Sequence, residues 1–502
     1  MPAVPRLVIT APSSGHGKTA VSVGLIAALA ARGLTIAGFK IGPDQVDAGY
    51  LGLAAGRVGR NLDPRMVGTD TVPGLFLHGA RGADVAIVEG TMGLYDGLSG
   101  RAREENTAQV AGMLRAPVVL VVDAAAMGQS AAALVHGFRA YDDQLWLGGV
   151  VLTRVSSDRH EEILRAALGE IGVPVLGVLR RHDFSQLPPR SYGTVPVVDG
   201  AVDAVRAVRR LGERMLARLD LERLLALARS APPLATEAWS PEAAIAGLSP
   251  ETAVAGLSPE ASAARGSADP GRTSEAGAAA DSSVAAPDRD GEPTGSATKR
   301  LRPAGERPIV AVAGSDPFSF SYPETAELLT AAGAQVVPVD PVRDERLPAG
   351  TRGLVFGAGF PEAFADELSA NRRLQDDVVA LARADGPVYA ENAGLLWLVK
   401  EYDGREMCGM FDASAQTTNL LVLGYRNAVA RASSSVVKVG ARVVGHKHHR
   451  ATVTPRSGDN AAWQWQGGRP EGFIWRKVHA SFLSVHWAGQ PGMAARFVSA
   501  IG

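Results

Sequence analysis

Short apolar runs rich in β-branched residues alternate along the first part of the chain with stretches of helical spacing. RLVITA (Arg6 to Ala11), TIAGFK (Thr35 to Lys40), ADVAIVEG (Ala83 to Gly90), APVVLVVDA (Ala116 to Ala124), LGGVVLTRV (Leu147 to Val155) and VPVLGVL (Val173 to Leu179) read as strands. Helical patterns lie between them, the first over Val21 to Arg32. Runs of this kind, apolar on both faces, predict a parallel sheet covered by helices on each side. The pattern lapses from Ala231 to about Glu306, where Ala, Ser, Pro, Gly, Glu and Thr dominate. It resumes in PIVAVAG, AQVVPVD, GLVFGAG and PVYAEN, followed by a more irregular end. The chain is therefore expected to be α/β throughout: a parallel-sheet domain over 1–230, a disordered linker over 231–306 and a smaller α/β domain over 307–502.

The linker carries one short unit three times: WSPEAAIAG from Trp239, LSPETAVAG from Leu248 and LSPEASAAR from Leu257. Nine residues are too few for a solenoid repeat. This composition buries too little apolar surface to offset its ordering entropy, so a flexible tether is expected. Length supports the division, since 502 residues exceed one ordinary core. A formal net charge of −1 argues against a general nucleic-acid binder. One Cys excludes an intramolecular disulfide and a multi-Cys metal site. No run reaches the ~18 apolar residues of a membrane span, and the start, MPAVPRLVIT, lacks a signal-peptide pattern. A cytoplasmic protein with neither nucleic-acid nor membrane partners is expected.

Two stretches carry chemistry. The first strand ends in Ser14-Gly15-His16-Gly17-Lys18-Thr19, a phosphate-binding loop with Pro12 where the strict pattern has Gly. Its glycines let backbone N–H groups approach phosphate oxygens. Lys18 offsets their charge, and the Thr19 hydroxyl suits Mg²⁺. The following strands bring Lys40, Asp44, Asp47 and Glu89 to the carboxyl edge of the sheet, with Asp96 on the next loop. Open α/β sheets bind ligands at that edge. Carboxylates converging on a triphosphate point to Mg²⁺ and a second substrate, with Thr19 and Glu89 as metal candidates. The second stretch is YAENAG, Tyr389 to Gly394: a buried strand, an abrupt turn and an expected amphipathic helix. This is the geometry of a nucleophile elbow, whose tip normally carries Ser or Cys. Here the tip is Asn392.

SGHGKT, FKIGPDQVDAGY, VEGTMGLYDG, PETAELL, GAGFPE, YAENAG, GHKHHR and LSVHWAG, in that order, resemble the cobyrinate or hydrogenobyrinate a,c-diamide synthases of cobalamin biosynthesis. The likeness covers about 3–230 and 307–500. It implies a dethiobiotin synthetase-like ligase domain and a flavodoxin-like, triad glutaminase-type domain. The ligase half would bind ATP and Mg²⁺ through Ser14, Gly15, Gly17, Lys18 and Thr19. It would phosphorylate a carboxylate of a corrinoid polycarboxylic acid, and ammonia would attack the acyl phosphate. Asp44, Asp47 and Asp96 would position the acid and the phosphate. Gly357 and Gly359 match the oxyanion loop, and His486 matches the activating His. Asn392 stands where the family has its Cys. A carboxamide cannot form the thioester. An inactive glutaminase and the use of free ammonia follow, and the resemblance also implies a homodimer.

Other departures bear on the substrate. Gln45-Val46 stands where the family has Tyr-Ile, and Thr153-Arg154 where it has Asn-Lys. Arg190-Ser191-Tyr192-Gly193 replaces RHLG, and Gly445-His446-Lys447-His448-His449 replaces GHEFH. H-x-H-H on a strand cannot turn all three imidazoles to one face, so metal binding there is not expected. Cys408, in REMCGMF, reads as a buried structural Cys on a strand. Two further readings stay open: a paralogue that amidates a different acid, and a P-loop protein that binds ATP and makes no amide.

Overall fold

Seven parallel strands form the first sheet: β1 (Arg6–Thr10), β2 (Ile36–Ile41), β3 (Arg60–Leu62), β4 (Val85–Glu89), β5 (Val118–Asp123), β6 (Leu147–Val155) and β7 (Val175–Arg180). Their order is β3-β2-β4-β1-β5-β6-β7. The computed structural model describes residues 4–97, 105–183, 202–248 and 307–501. Alternate side chains go to opposite faces, as the pleat requires. Val118, Leu120 and Val122 enter one core, and Val119 and Val121 the other. Each such fully buried side chain contributes about 1.5–3 kcal/mol, which accounts for the unbroken apolar runs. The helices α1 (Lys18–Ala31) and α2 (Gln45–Ala55) cover the second of these cores, together with the helices Val202–Arg218 and Leu221–Arg229.

The second domain has β8 (Ile309–Ala313), β9 (Gln335–Val339), β10 (Thr351–Phe356) and β11 (Val388–Glu391). A side sheet follows, of β12 (Val399–Tyr402), β13 (Arg405–Glu406), β14 (Phe411–Ala430), β15 (Arg442–Thr454) and β16 (Trp463–Trp465). The chain ends with β17 (Phe473–Trp475) and β18 (Val478–Ser481), which return to the main sheet in the order β17-β18-β11-β10-β8-β9. The irregular end expected from sequence is thus largely a long antiparallel ribbon of β14 and β15. Its mixed, half-exposed residues give no clean apolar run.

The tether begins later than its composition suggests. Leu234 is buried in the first domain, and the Trp239 N–H donates to Gly74 O at 2.9 Å. The first repeat forms a helix, Pro241–Ala246, capped by the Ser240 hydroxyl. Ile245 packs into a second-domain core. Ser-Pro-Glu is a capping sequence as much as a linker sequence. The second copy beyond Leu248, the third copy, the remainder of the tether and Arg190–Gly193 lie outside the described residues.

The two domains meet around β3. Arg60 pairs with Glu324 at 2.5 Å and with Glu327, and His78 Nε2 reaches Glu327 at 2.9 Å. The Tyr425 hydroxyl donates to Asp63 at 2.6 Å, and Trp239 sets its edge on His78. A Cβ at Gly489 would lie 2.1 Å from Met66 O, so the backbones are in direct contact. Arg60→Met would leave Glu324, 1% exposed, buried without its cation. The expected loss of stability is about 3–5 kcal/mol in urea unfolding, partly recovered by adding Glu324→Gln.

Four imidazoles are buried in the second domain. Burial holds His446, His449 and His479 down to about 3 and His486 down to about 4. Each is neutral when folded and ionises near 6.5 when unfolded, so its contribution is full above 6.5 and is lost as pH falls. The buried acids Asp63 and Glu391, pushed up by burial to about 6 and about 7, slope the other way. His486→Gln is therefore expected to lower the rise of unfolding free energy between pH 5 and 6.5, by up to about 1.4 kcal/mol per pH unit. Unchanged slopes in urea melts at several pH values would contradict this.

Candidate active site

β1 lies at the centre of the first sheet, between β4 and β5, where the strand order reverses. Ligands of open α/β sheets bind at such a point. The loop after it turns through Gly15 (φ 92°) and Gly17 (φ 94°) and enters α1 at Lys18. Ser14 is exposed on that loop. From the opposite flank, Asp123 N–H donates to His16 Nδ1 at 2.9 Å, and the Thr153 hydroxyl donates to His16 O at 3.0 Å. Arg154 reaches Gly15 O at 2.8 Å and Asp123 at 2.8 Å. His16 is thus a brace, and Thr153-Arg154 holds the loop.

Beneath the loop lies a buried charge cluster. Lys40 Nζ sits 2.7 Å from Asp47 Oδ2 and 2.8 Å from Glu89 Oε1, and it also donates to Gly90 O at 3.0 Å. The Thr19 hydroxyl donates to Glu89 Oε1 at 2.5 Å. Burial alone would lower the Lys40 ammonium, but Glu89 and Asp47 outweigh it and hold it above its usual range. Burial pushes the Glu89 carboxyl up, while Lys40 and Thr19 pull it back. Glu89 Oε2 is buried with no hydrogen-bond partner, as is Thr10 Oγ1 at the end of β1. An orphaned carboxylate oxygen beside the hydroxyl that follows a phosphate-loop lysine is a donor set that fits a hard divalent cation.

The other predicted residues separate. Asp44 caps α2 by accepting the Asp47 N–H at 3.0 Å. Asp96 is exposed and accepts the Gly93 N–H at 3.1 Å, so it closes its own loop and stands outside the Lys40 cluster. Sequence reading missed Asn61. It is 3% exposed, and its Nδ2 donates to Gly42 O at 2.8 Å and Asp44 O at 3.1 Å, fixing the turn that carries Asp44. A lone Asn between Arg60 and Leu62 in a three-residue strand was the only signal, and a weak one.

The strand, sharp turn and helix expected at YAENAG are present, with Asn392 at the tip. Asn392 sits at φ 41°, ψ −95°, a conformation that side chains rarely adopt. Its Nδ2 donates to His448 O at 2.7 Å. The following helix, Ala393–Leu398, is buried on every side, not amphipathic as expected. Gly357 and Gly359 serve packing: added Cβ atoms would meet Ser321 Oγ at 2.3 Å and Pro317 O at 2.1 Å. The N–H of Ala358 between them donates to Phe320 O. His486 is fully buried and stacked on Tyr322, with Nδ1 accepting the Ala488 N–H and Nε2 3.8 Å from Glu324. Among the described residues no hydrogen bond joins His486 to Asn392. Cys408 follows β13 in an irregular segment, not on a strand, and burial pushes its thiol far above the usual range.

His446 and His448 face one way along β15, while His449 stacks on Phe482. No metal-binding cluster of His, Cys, Asp or Glu occurs among the described residues. Between the domains lies a cavity of about 620 Å³ that touches Asp44 and Thr91 on one side and Asn392 and His448 on the other. No helix among the described residues is long and apolar enough to cross a membrane.

Residues 7–191 match the CobQ/CobB/MinD/ParA nucleotide binding domain, and residues 309–491 the CobB/CobQ-like glutamine amidotransferase domain. The chain is 51% identical to hydrogenobyrinate a,c-diamide synthase of Streptomyces coelicolor, over 99% of this chain and 97% of that protein. It is 40% identical to the Mycobacterium bovis protein of that name, over 99% and 98%. Identity to cobyrinate a,c-diamide synthase of Synechococcus is 33%, over 98% of each. With a nucleotide-binding loop on the central strand and a glutaminase-like domain docked beside it, the chain belongs to the family of a,c-diamide synthases, amide-forming ligases.

Proposed function

We propose that this chain amidates the a and c carboxylates of hydrogenobyrinate, using ATP and free ammonia. The observation that carries the reading is the buried Lys40–Asp47–Glu89 cluster under the phosphate loop, with Glu89 Oε2 unpartnered. A carboxylate is a poor acyl donor. Attack of its oxygen on the γ-phosphorus releases ADP and gives an acyl phosphate. Ammonia then attacks the acyl carbon, phosphate leaves, and the nitrogen loses a proton. Lys18 and the loop N–H groups bind the transferred phosphoryl group, stabilising the charge that develops on it. Thr19 and Glu89 would hold Mg²⁺, which supplies further neutralisation of phosphate charge when bound. Lys40 holds Glu89 and Asp47 in place, and Asn61 holds the turn bearing Asp44.

The names of the relatives favour a corrinoid over a different acid, and their identities favour hydrogenobyrinate over cobyrinate. The intact Lys18, Thr19, Lys40, Asp47 and Glu89 speak against a protein that only binds nucleotide. Asn392 supports free ammonia as the donor, since a carboxamide offers no nucleophile.

Purified protein with ATP, Mg²⁺ and hydrogenobyrinic acid should give diamide with ammonium chloride and none with glutamine, read by mass. Diamide from glutamine would overturn the ammonia reading, and no product with either donor would overturn the substrate. Lys18→Ala should lower ammonia-dependent kcat/KM by about 10²–10³ or more. Asn61→Ala should cost about ten- to a hundredfold in the same assay through misplacement of the Asp44 turn. ATP affinity should stay close to wild type in Asn61→Ala. A variant with full activity would show that Asn61 does not position the turn.

A further inference from the structure

We propose that the cavity between the two domains seats the ring of the substrate, an apolar macrocycle bearing carboxylate arms, and that the second domain is kept to build it. This inference rests on the amidoligase reading above. The cavity volume of about 620 Å³ falls within the ~300–1,000 Å³ usual for small-molecule sites. Its first wall belongs to the catalytic edge. Asp44 caps the helix whose Asp47 binds Lys40, and Thr91 follows Glu89 by two residues. A ring seated here brings its rim to the phosphate loop.

The opposite wall comes from the second domain and is largely apolar, with Phe360, Leu396, Leu421 and Leu423. Leu421 is 38% exposed and Leu423 54%, and Met92 across from them is 39% exposed. Large apolar side chains left in water around a cleft mark a binding surface. The β14–β15 ladder shifts register between Thr417 and Val422, the kind of irregularity that re-aims side chains beside a site. Arg450 and His448, at alternate positions on β15, give this wall groups that suit carboxylate arms. Glu362 also lines it. Asn392 completes the wall with a neutral carboxamide where a cysteine could present a thiolate.

The test uses the full chain and hydrogenobyrinic acid without ATP, with binding followed by the visible absorption of the ligand. ATP affinity is measured in parallel. Leu421→Glu and Leu423→Glu change exposed positions and should fold. Each is expected to raise the Kd for hydrogenobyrinic acid at least tenfold, with the Kd for ATP within twofold of wild type. Wild-type affinity in both variants, with the acid still bound and amidated, would overturn the cavity assignment and leave the amidoligase reading standing. Displacement of the acid by L-glutamine would assign the cavity to glutamine and overturn the proposal. Absence of binding and of amidation by the wild-type chain would overturn both.

Discussion

A lysine ammonium held between two carboxylates under the phosphate loop is the interaction on which the first domain depends. Lys40, Asp47 and Glu89 come from β2, α2 and the end of β4, and each is almost wholly buried. Any one of these charges alone would be costly in that environment. Together they offset one another and fix the ends of three elements at one point. The loop above them is braced from the other flank by Asp123, Thr153 and Arg154. These contacts hold the loop from both flanks, the kind of fixed geometry that electrostatic catalysis requires.

The second domain is joined to this arrangement through β3. Arg60 and Asp63 bracket that strand and bind Glu324, Glu327 and Tyr425, while Asn61 between them holds the Asp44 turn. The second domain thereby stays in contact with the strand that holds the Asp44 turn. His486 lies in the same interface, packed on Tyr322 and facing Glu324. The elbow persists for a related reason. Gly394 abuts Phe356 so closely that a Cβ would lie 2.4 Å away, so strand, turn and helix form one packed unit whatever residue sits at the tip.

The parts legible in the sequence were those set by neighbours along the chain. The phosphate loop, the six longer strands of the first sheet and the elbow each show a local pattern, and the structure has all of them. Asn61, Asp123 and Arg154 gave weak signals because their roles depend on partners far away in sequence. Asp96 also closes its own loop through the Gly93 N–H, a common role for an Asp near Gly that its spacing alone does not announce. The start of the tether was misjudged for a similar reason. Its composition is poor in large apolar residues, yet Leu234, Trp239 and Ile245 suffice to pin it because both domains offer surfaces to them.

The clamp on β3 also has a consequence in time. Arg60 and its partner Glu327 are separated by 267 positions. At ribosomal speeds of ~5–20 residues per second, the partner emerges on the order of tens of seconds after the arginine. During that interval a nascent chain has its phosphate loop and the Asn61 contacts that set the Asp44 turn, but not the ion pairs that dock the second domain. The cavity between the domains is therefore completed late in synthesis, and a truncated chain ending in the tether would lack its second wall.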